Sequence, residues 1–360
     1  MKVGAEVGEE TSKTAFRREV EEQGEALRRM ILFYENEGAP LLKQWEEMYR
    51  CTDGVIVFSG MGTSYYAPLV IKPLLASKGV KAFILEAGEL LHYGLQAISR
   101  DDLVILISQS GESIETCRAA EKLKNLCRIV AIVNNEESRL ARYADLVLPL
   151  KAGEETSITS KTYTNTLGVL NIMGVVAVSG DLHEETDALL AASHHMDSFL
   201  QSRYEEIRLA EEHLKDAVTL HFLSRGPALA GAFQGALTFM EGARMTTLAM
   251  SCGSFRHGPF ELVGEGHYAI VYIPSSKTKN LVERMVLEMA QKGSRILTFS
   301  SDSKLKKSPR ILNITFKDVN DRHLLIAAAT AQELLLDRIA SRRGLTCGVF
   351  RHVSKITRRE

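Results

Sequence analysis

No run of apolar residues in this sequence approaches the roughly 20 needed to cross a bilayer. An excess of one charge is missing too. Lysine and arginine number 44 against 45 aspartates and glutamates, a net charge of −1, so no global field draws in nucleic acid or an anionic membrane. Cysteine is scarce: Cys51, Cys117, Cys127, Cys252 and Cys347 are odd in number and show no CxxC or metal-finger spacing. That pattern argues against a disulfide framework and for reduced thiols, packed as small hydrophobes, in a cytoplasmic protein. The ten histidines form no HxH or HExxH group, and His194-His195 falls in a helical stretch that is expected to be exposed. Neither G-x-G-x-x-G nor a Walker A string occurs, so neither a metal nor a nucleotide or other cofactor is expected. The first 25 residues, MKVGAEVGEETSKTAFRREVEEQGE, carry no apolar signal core.

What is present is a rhythm. A chain of 360 residues exceeds what one core usually fills, so two domains are expected. Residues 14–50 read as helical. Short apolar runs then recur at Val55 to Phe58, Phe83 to Leu85, Leu103 to Ile107, Ile129 to Val133 and Leu146 to Leu148, each set apart by a helix-length or polar segment. Strands that are apolar throughout are buried on both faces, and their alternation with helices predicts a parallel α/β sheet. Helices are predicted over about 65–79, 161–180 and 185–214. The rhythm restarts with strands at Val218 to Leu223, Thr246 to Met250, Ala269 to Ile273, Ile296 to Phe299 and Ile314 to Phe316. Helices over about 228–243 and 320–342 complete it.

The halves match at a fixed offset. Ser59 and Ser224 both end a first strand, and AGELLH (Ala87 to His92) parallels CGSFRH (Cys252 to His257), each pair 165 residues apart. Two copies of one α/β unit follow, roughly 36–195 and 205–345, with a helical segment over 1–35 and a tail over 346–360.

Ligands of open parallel sheets bind beyond the carboxyl ends of the strands. In the first unit three polar segments fall there: Ser59 to Ser64, Ser108 to Ser113 and TSITSKTYT, Thr156 to Thr164. Each precedes a helix, whose first N–H groups and partial positive charge suit an anion, most naturally a phosphate. Serines can also do no more than cap helices, but three such segments at equivalent strand ends favour a ligand.

SGMGTSYYAP, ISQSGES and SKTYTNTL resemble the phosphosugar-binding signatures of sugar isomerase (SIS) domains. The pattern over about 35–360 is similar to the tandem-SIS isomerase half of glucosamine-6-phosphate synthase and to stand-alone fructosamine-6-phosphate deglycases and amino-sugar phosphate deaminases. The resemblance implies an α/β fold of two tandem SIS domains, each a parallel five-stranded, flavodoxin-like sheet with helices on both faces. It implies that Gly62, Thr63, Ser64, Ser108, Gln109, Ser110, Ser113, Thr159 and Ser160 bind a sugar phosphate or another anionic sugar. The stretch GALTFMEGARMTTLAMSCGSFRHGPFELV resembles the family's catalytic segment and places its glutamate at Glu241 and its histidine at His257. FRHVSKITRRE resembles the catalytic tail, with the lysine at Lys355. The family histidine reaches the neighbouring subunit's site, so the resemblance also implies a homodimer with a shared active site.

Two positions depart from the synthase pattern: Thr238 stands where a lysine precedes the glutamate by three residues, and Ser254 stands for a glutamate before HGP. No amidotransferase domain is expected, which argues against a glutamine-dependent synthase, and HGPFE leans toward the deglycase branch. The chemistry that a proton shift between C1 and C2 needs is a carboxylate to carry the proton and an imidazole to open the ring. Glu241 takes the first role and His257 the second; Lys355 contacts the open-chain sugar or forms an imine with it. His92 is the repeat equivalent of His257 and is expected to be structural, and Glu112 either orients substrate or pairs with a neighbouring cation. The expectation is an aldose–ketose isomerase or an amine-releasing deglycase or deaminase. The alternatives are a non-catalytic phosphosugar-binding regulator and a regulatory subunit that borrows a catalytic partner. No helix-turn-helix or basic patch points to nucleic acid.

Overall fold

The computed structural model describes residues 13–302, 305–352 and 354–357. Residues 1–12 of the amino-terminal segment, and Val353 and residues 358–360 of the tail, lie outside the described residues. The chain begins with three helices, α1 (Ala15–Glu21), α2 (Gln23–Glu35) and α3 (Ala39–Arg50). The Thr14 hydroxyl accepts the N–H of Arg17 and so caps α1.

The first sheet holds β1 (Ile56–Gly60), β2 (Ala82–Glu86), β3 (Leu103–Ile107), β4 (Arg128–Val133) and β5 (Leu146–Pro149), all parallel, in the order β2-β1-β3-β4-β5. Its connections carry α4 (Thr63–Tyr66), α5 (Lys72–Ser77), α6 (Ala87–Glu89) and α7 (Ile114–Leu123). Three long helices follow: α8 (Lys161–Ala177), α9 (Leu182–Gln201) and α10 (Tyr204–Leu214). The second sheet holds β6 (Thr219–Ser224), β7 (Thr246–Ser251), β8 (Tyr268–Ile273), β9 (Arg295–Ser300) and β10 (Ile311–Thr315), also parallel, in the order β7-β6-β8-β9-β10. With it come α11 (Leu229–Ala243), α12 (Cys252–Arg256), α13 (Lys279–Gln291), α14 (Leu324–Ala327) and α15 (Ala329–Arg342).

Both sheets thus have one strand order, 2-1-3-4-5, and the duplication read from the 165-residue offset is a duplication of topology. It extends to capping. Glu86 caps α6 by accepting from the N–H of Glu89, and Ser251 caps α12 by accepting from Ser254, both pairs again 165 apart. Central strands are closed on both faces: every residue of β3 and β8 is buried. Helix α8 is buried almost throughout and packs against α2, α3 and α9, and the Trp45 indole donates to Met173 O at 2.9 Å. The units meet where α11 crosses α4, with Tyr66 stacked on Phe233 at 4.9 Å.

Several elements differ from the sequence reading, each for a local reason. The helix predicted over 65–79 begins at Thr63 and is broken by a 3-10 turn at Ala67–Val70, because Pro68 and Pro73 each lack an N–H to continue a helix. The helix predicted over 185–214 is two, broken at Ser202–Arg203. There the Arg203 guanidinium lies 4.2 Å from the Phe199 ring and donates to Glu206 and Thr315 O, which fixes the bend. Strand β10 starts three residues before the predicted Ile314. Ser59 lies inside β1, buried, rather than in the loop after it.

Candidate active site

At the carboxyl ends of β1 and β3 the chain encloses a cavity of about 310 Å³. One wall is the turn after β1, from Met61 to Ser64. A second is the turn after β3, with Ser108, Gln109, Ser110 and Ser113. A third is Ile158 and Thr159 ahead of α8. Leu237 and Glu241 of α11 come from the second unit, and Phe350, Ser354, Lys355 and Thr357 from the tail close the space. A groove of about 360 Å³ between Arg50, Asp53 and Lys81 lies at the opposite, amino-terminal ends of β1 and β2. It is more open and has no hydroxyl loop, so the smaller cavity is the candidate site.

The turn after β3 is built to leave donors free. The Ser108 hydroxyl accepts the Gly111 N–H at 3.2 Å and donates to the Ser113 hydroxyl at 3.3 Å. Ser113 is the residue before α7, yet its side chain caps no N–H of that helix. The N–H of Ile114 is taken by the tail, and the next two N–H groups of α7, those of Glu115 and Thr116, stand with the helix's positive end next to Ser110 and Ser113. Gly111 is required at φ +66°: a Cβ there would lie 2.0 Å from the Ser138 hydroxyl oxygen. Gly62, at φ +54°, makes the corresponding turn ahead of α4.

Glu241 sits in the last turn of α11, facing the anion loops across the cavity. Its side chain is open to the water of the cavity but has protein on most sides. That enclosure pushes its carboxyl up to about 7, against the pull of the Lys355 charge, which lowers it. The shift reflects concavity rather than full burial. A carboxylate with this value exchanges a proton near neutral pH.

Lys355 approaches from the tail. Its ammonium donates to Glu155 Oε2 at 2.6 Å and to Ser157 O at 2.5 Å. The tail is pinned a second time by the Ile114 N–H, which donates to Thr357 O at 3.2 Å.

The expected residues divide. Gly62, Thr63, Ser64, Ser108, Gln109, Ser110, Ser113, Thr159, Glu241 and Lys355 all line the one cavity. Ser160 does not: it is buried, and its hydroxyl donates to Glu155. His257 is exposed in the turn after α12 and is not among the residues lining this chain's cavity. His92 is exposed beside Tyr93. Glu112 turns away and accepts the N–H of Arg139. Of the two adjacent histidines, His194 is exposed and His195 is half-buried, bonded to Lys317 O. Thr238, where the synthase pattern has lysine, is fully buried and returns its hydroxyl to Gln234 O within α11. Glu155 was missed; its only signal was an acidic residue ahead of a Ser/Thr-rich helix start. No cluster of three or more His, Cys, Asp or Glu able to hold a metal occurs among the described residues, and no helix among them is long and apolar enough to cross a membrane.

Residues 48–175 match the SIS domain family. A glutamine–fructose-6-phosphate aminotransferase (isomerizing) of Sulfolobus acidocaldarius is 32% identical over 71% of this chain and 42% of its own length. The chain spans less than half the length of the curated relatives it matches. Among solved structures, the C-terminal domain of glucosamine-fructose-6-phosphate aminotransferase from Francisella tularensis superposes with a TM-score of 0.85 at 22% identity, covering 95% of this chain and 99% of that one. A glucosamine-6-phosphate deaminase from Thermotoga maritima gives 0.73 at 20% identity, with the same coverage. At these identities the likeness is one of fold.

Proposed function

The chain carries a SIS domain and is homologous to the isomerase half of glutamine–fructose-6-phosphate aminotransferase, and from that premise we propose that it is an enzyme that moves a proton between C1 and C2 of a sugar 6-phosphate. The observation that carries this reading is the pairing, in one cavity, of an uncapped, hydroxyl-rich anion loop with a carboxyl held near neutral pH. The phosphate, or a comparable dianion, sits against Ser64, Ser108, Ser110, Ser113 and the first turn of α7, with Thr63, Gln109 and Thr159 around it. That anchor extends the open-chain sugar toward Glu241. The ionised carboxylate takes the proton from one carbon, leaving an enediolate; the hydroxyl proton passes between O1 and O2, and the resulting carboxylic acid returns its proton to the neighbouring carbon. The Lys355 ammonium supplies positive charge where the enediolate oxygens develop negative charge. On a ketosamine phosphate the same enolisation, followed by addition of one water, releases the amine.

His257 serves ring opening in this reading, and it does so from a second copy of the chain, since its own cavity lies elsewhere. A homodimer follows as part of the proposal. The separate position of His257 also favours a second reading, a phosphosugar-binding regulator without catalysis.

Proton NMR in D₂O decides between them. The protein is incubated with fructose 6-phosphate, glucosamine 6-phosphate and a fructosamine 6-phosphate, with Glu241→Gln as control. Deuterium entering C1 or C2 with the wild type alone supports the enzyme, and the product separates isomerase from amine release. Binding of a sugar phosphate with no exchange in any of the three supports the regulator.

A further inference from the structure

The most heavily used side chain around the cavity is one that no role above requires. Glu155 is buried, its side chain fully enclosed, and it takes five hydrogen bonds. Its two oxygens do different work. Oε1 accepts the N–H of Ser160 at 3.0 Å, the N–H of Thr162 at 3.0 Å and the Ser160 hydroxyl at 3.2 Å, which caps the start of α8. Oε2 accepts the Thr162 hydroxyl at 2.7 Å and the Lys355 ammonium at 2.6 Å. The carbonyl of Ser157, two residues along the same loop, is the ammonium's other partner. The loop itself is fixed from behind by Glu19, which accepts from the N–H groups of Thr156 and Ser157.

We infer that Glu155 is the positioning residue for Lys355: through Oε2 it sets where the tail's ammonium stands in the cavity, and through Oε1 it ties that position to the loop carrying Thr159. This rests on the reading of the cavity given above and adds a residue to it. A buried carboxylate with a cap to satisfy cannot drift, so the lysine inherits the precision of α8 rather than the freedom of a chain end. Without that anchor, a lysine 200 residues away in sequence, on a tail with no helix or strand among its described residues, samples many rotamers.

The division of labour makes a selective test available. Glu155→Gln keeps an oxygen for the cap but sets a neutral amide, able to donate, against the ammonium. Glu155→Ala loses both functions. Reductive methylation of Lys355 in the intact chain, followed by mass spectrometry of the tail peptide, reads the anchor without any substrate. Loss of a charge-assisted hydrogen bond predicts a rise in labelling rate of about tenfold or more in both variants. The Glu155→Gln variant should keep a melting temperature closer to the wild type than Glu155→Ala does. With a turned-over sugar phosphate, Glu155→Gln and Lys355→Met should each lower kcat by about tenfold or more. The double variant should be no worse than the weaker single, because both remove one interaction. Unchanged labelling in Glu155→Gln, or a double variant whose loss is the product of the two singles, overturns the inference and leaves Glu155 a helix cap. If no sugar phosphate is turned over, labelling alone decides the role of Glu155, and only the enzymatic reading falls.

Discussion

Replacing Glu241 by glutamine should abolish proton transfer and at the same time stabilise the protein, and the stabilisation should vanish in acid. The carboxyl titrates at about 7 in the folded chain because the cavity encloses it, against an ordinary value of 4.5. A folded state that holds a proton more tightly than the unfolded state is disfavoured once that proton must be lost. The cost is fully present above pH 7, shrinks as pH falls through 7, and is gone below about 4.5. A dry site would make that difference worth about 3 kcal/mol. The side chain is open to the water of the cavity, so screening reduces this to about 1 kcal/mol, or about 2 °C in melting temperature for a chain of this size. Thermal unfolding of the wild type and Glu241→Gln at pH 8 and pH 4 should therefore show the variant melting about 2 °C higher at pH 8 and level at pH 4. Activity should track the same proton. If Glu241 is the base, kcat/KM rises with an acid limb near pH 7, and at pH 6 about a tenth of the plateau remains. Removing the nearby charge with Lys355→Met should move that limb upward. Equal or lower melting of Glu241→Gln at pH 8, or an acid limb near pH 4.5, would refute the argument that the cavity tunes this carboxyl.

Three further perturbations probe the frame around the site. Gly111→Ala should displace the loop after β3, since the added Cβ meets Ser138 at 2.0 Å and the backbone is left-handed there; a rise of about tenfold or more in the KM for sugar phosphate, with partial recovery in Gly111→Ala/Ser138→Gly, would be read by steady-state kinetics. Glu333 is wholly buried between the Gln23 and Gln234 amides, and burial holds it protonated well above the usual carboxylate range. Glu333→Gln keeps one acceptor but sets its NH2 against the other amide donor, so it should cost about 1–2 kcal/mol by urea unfolding, while Glu333→Ala, which strands both amides, should cost about 3 kcal/mol or more. Trp45 is the single tryptophan and is nearly fully buried; Trp45→Phe, which removes its bond to Met173 O, should cost about 1–3 kcal/mol by circular dichroism melts, and the wild-type fluorescence should report global unfolding.

The fold was legible because its strands are apolar throughout and its repeat has a fixed offset; β3 was read to the residue at Leu103–Ile107. Breaks inside helices were less so. The bend at Ser202–Arg203 depends on an arginine stacking on Phe199 and reaching Thr315 O, a contact over more than 100 residues. The anion loops were legible as dense hydroxyls ahead of helices, but which way each hydroxyl points was not. Ser160 belongs to the same string as Thr159, and one faces Glu155 while the other faces the cavity. Glu155 was legible at most as a helix cap, because Lys355, its other partner, comes from the far end of the sequence.

On the proposed function, the repeat also explains why the lining of the cavity is divided between units. The turns after β3 and β8 share one device: the Ser110 hydroxyl accepts the N–H of Glu112, and the Ser276 hydroxyl accepts the N–H of Thr278, 166 residues on. At that offset Ser108 corresponds to Pro274 and Gly111 to Lys277. Proline has no hydroxyl to hold the turn and no N–H to offer. A lysine also does not readily take the left-handed backbone that Gly111 uses to bring its amide to Ser108. The second turn therefore lacks both features on which the first cradle depends. What the second unit contributes instead is α11, which crosses onto α4 and carries Glu241 over the first unit's anion loop. One copy of the fold keeps the hydroxyl-rich turn proposed to hold the anion and the other supplies the carboxyl proposed to carry the proton, so neither unit encloses the cavity by itself.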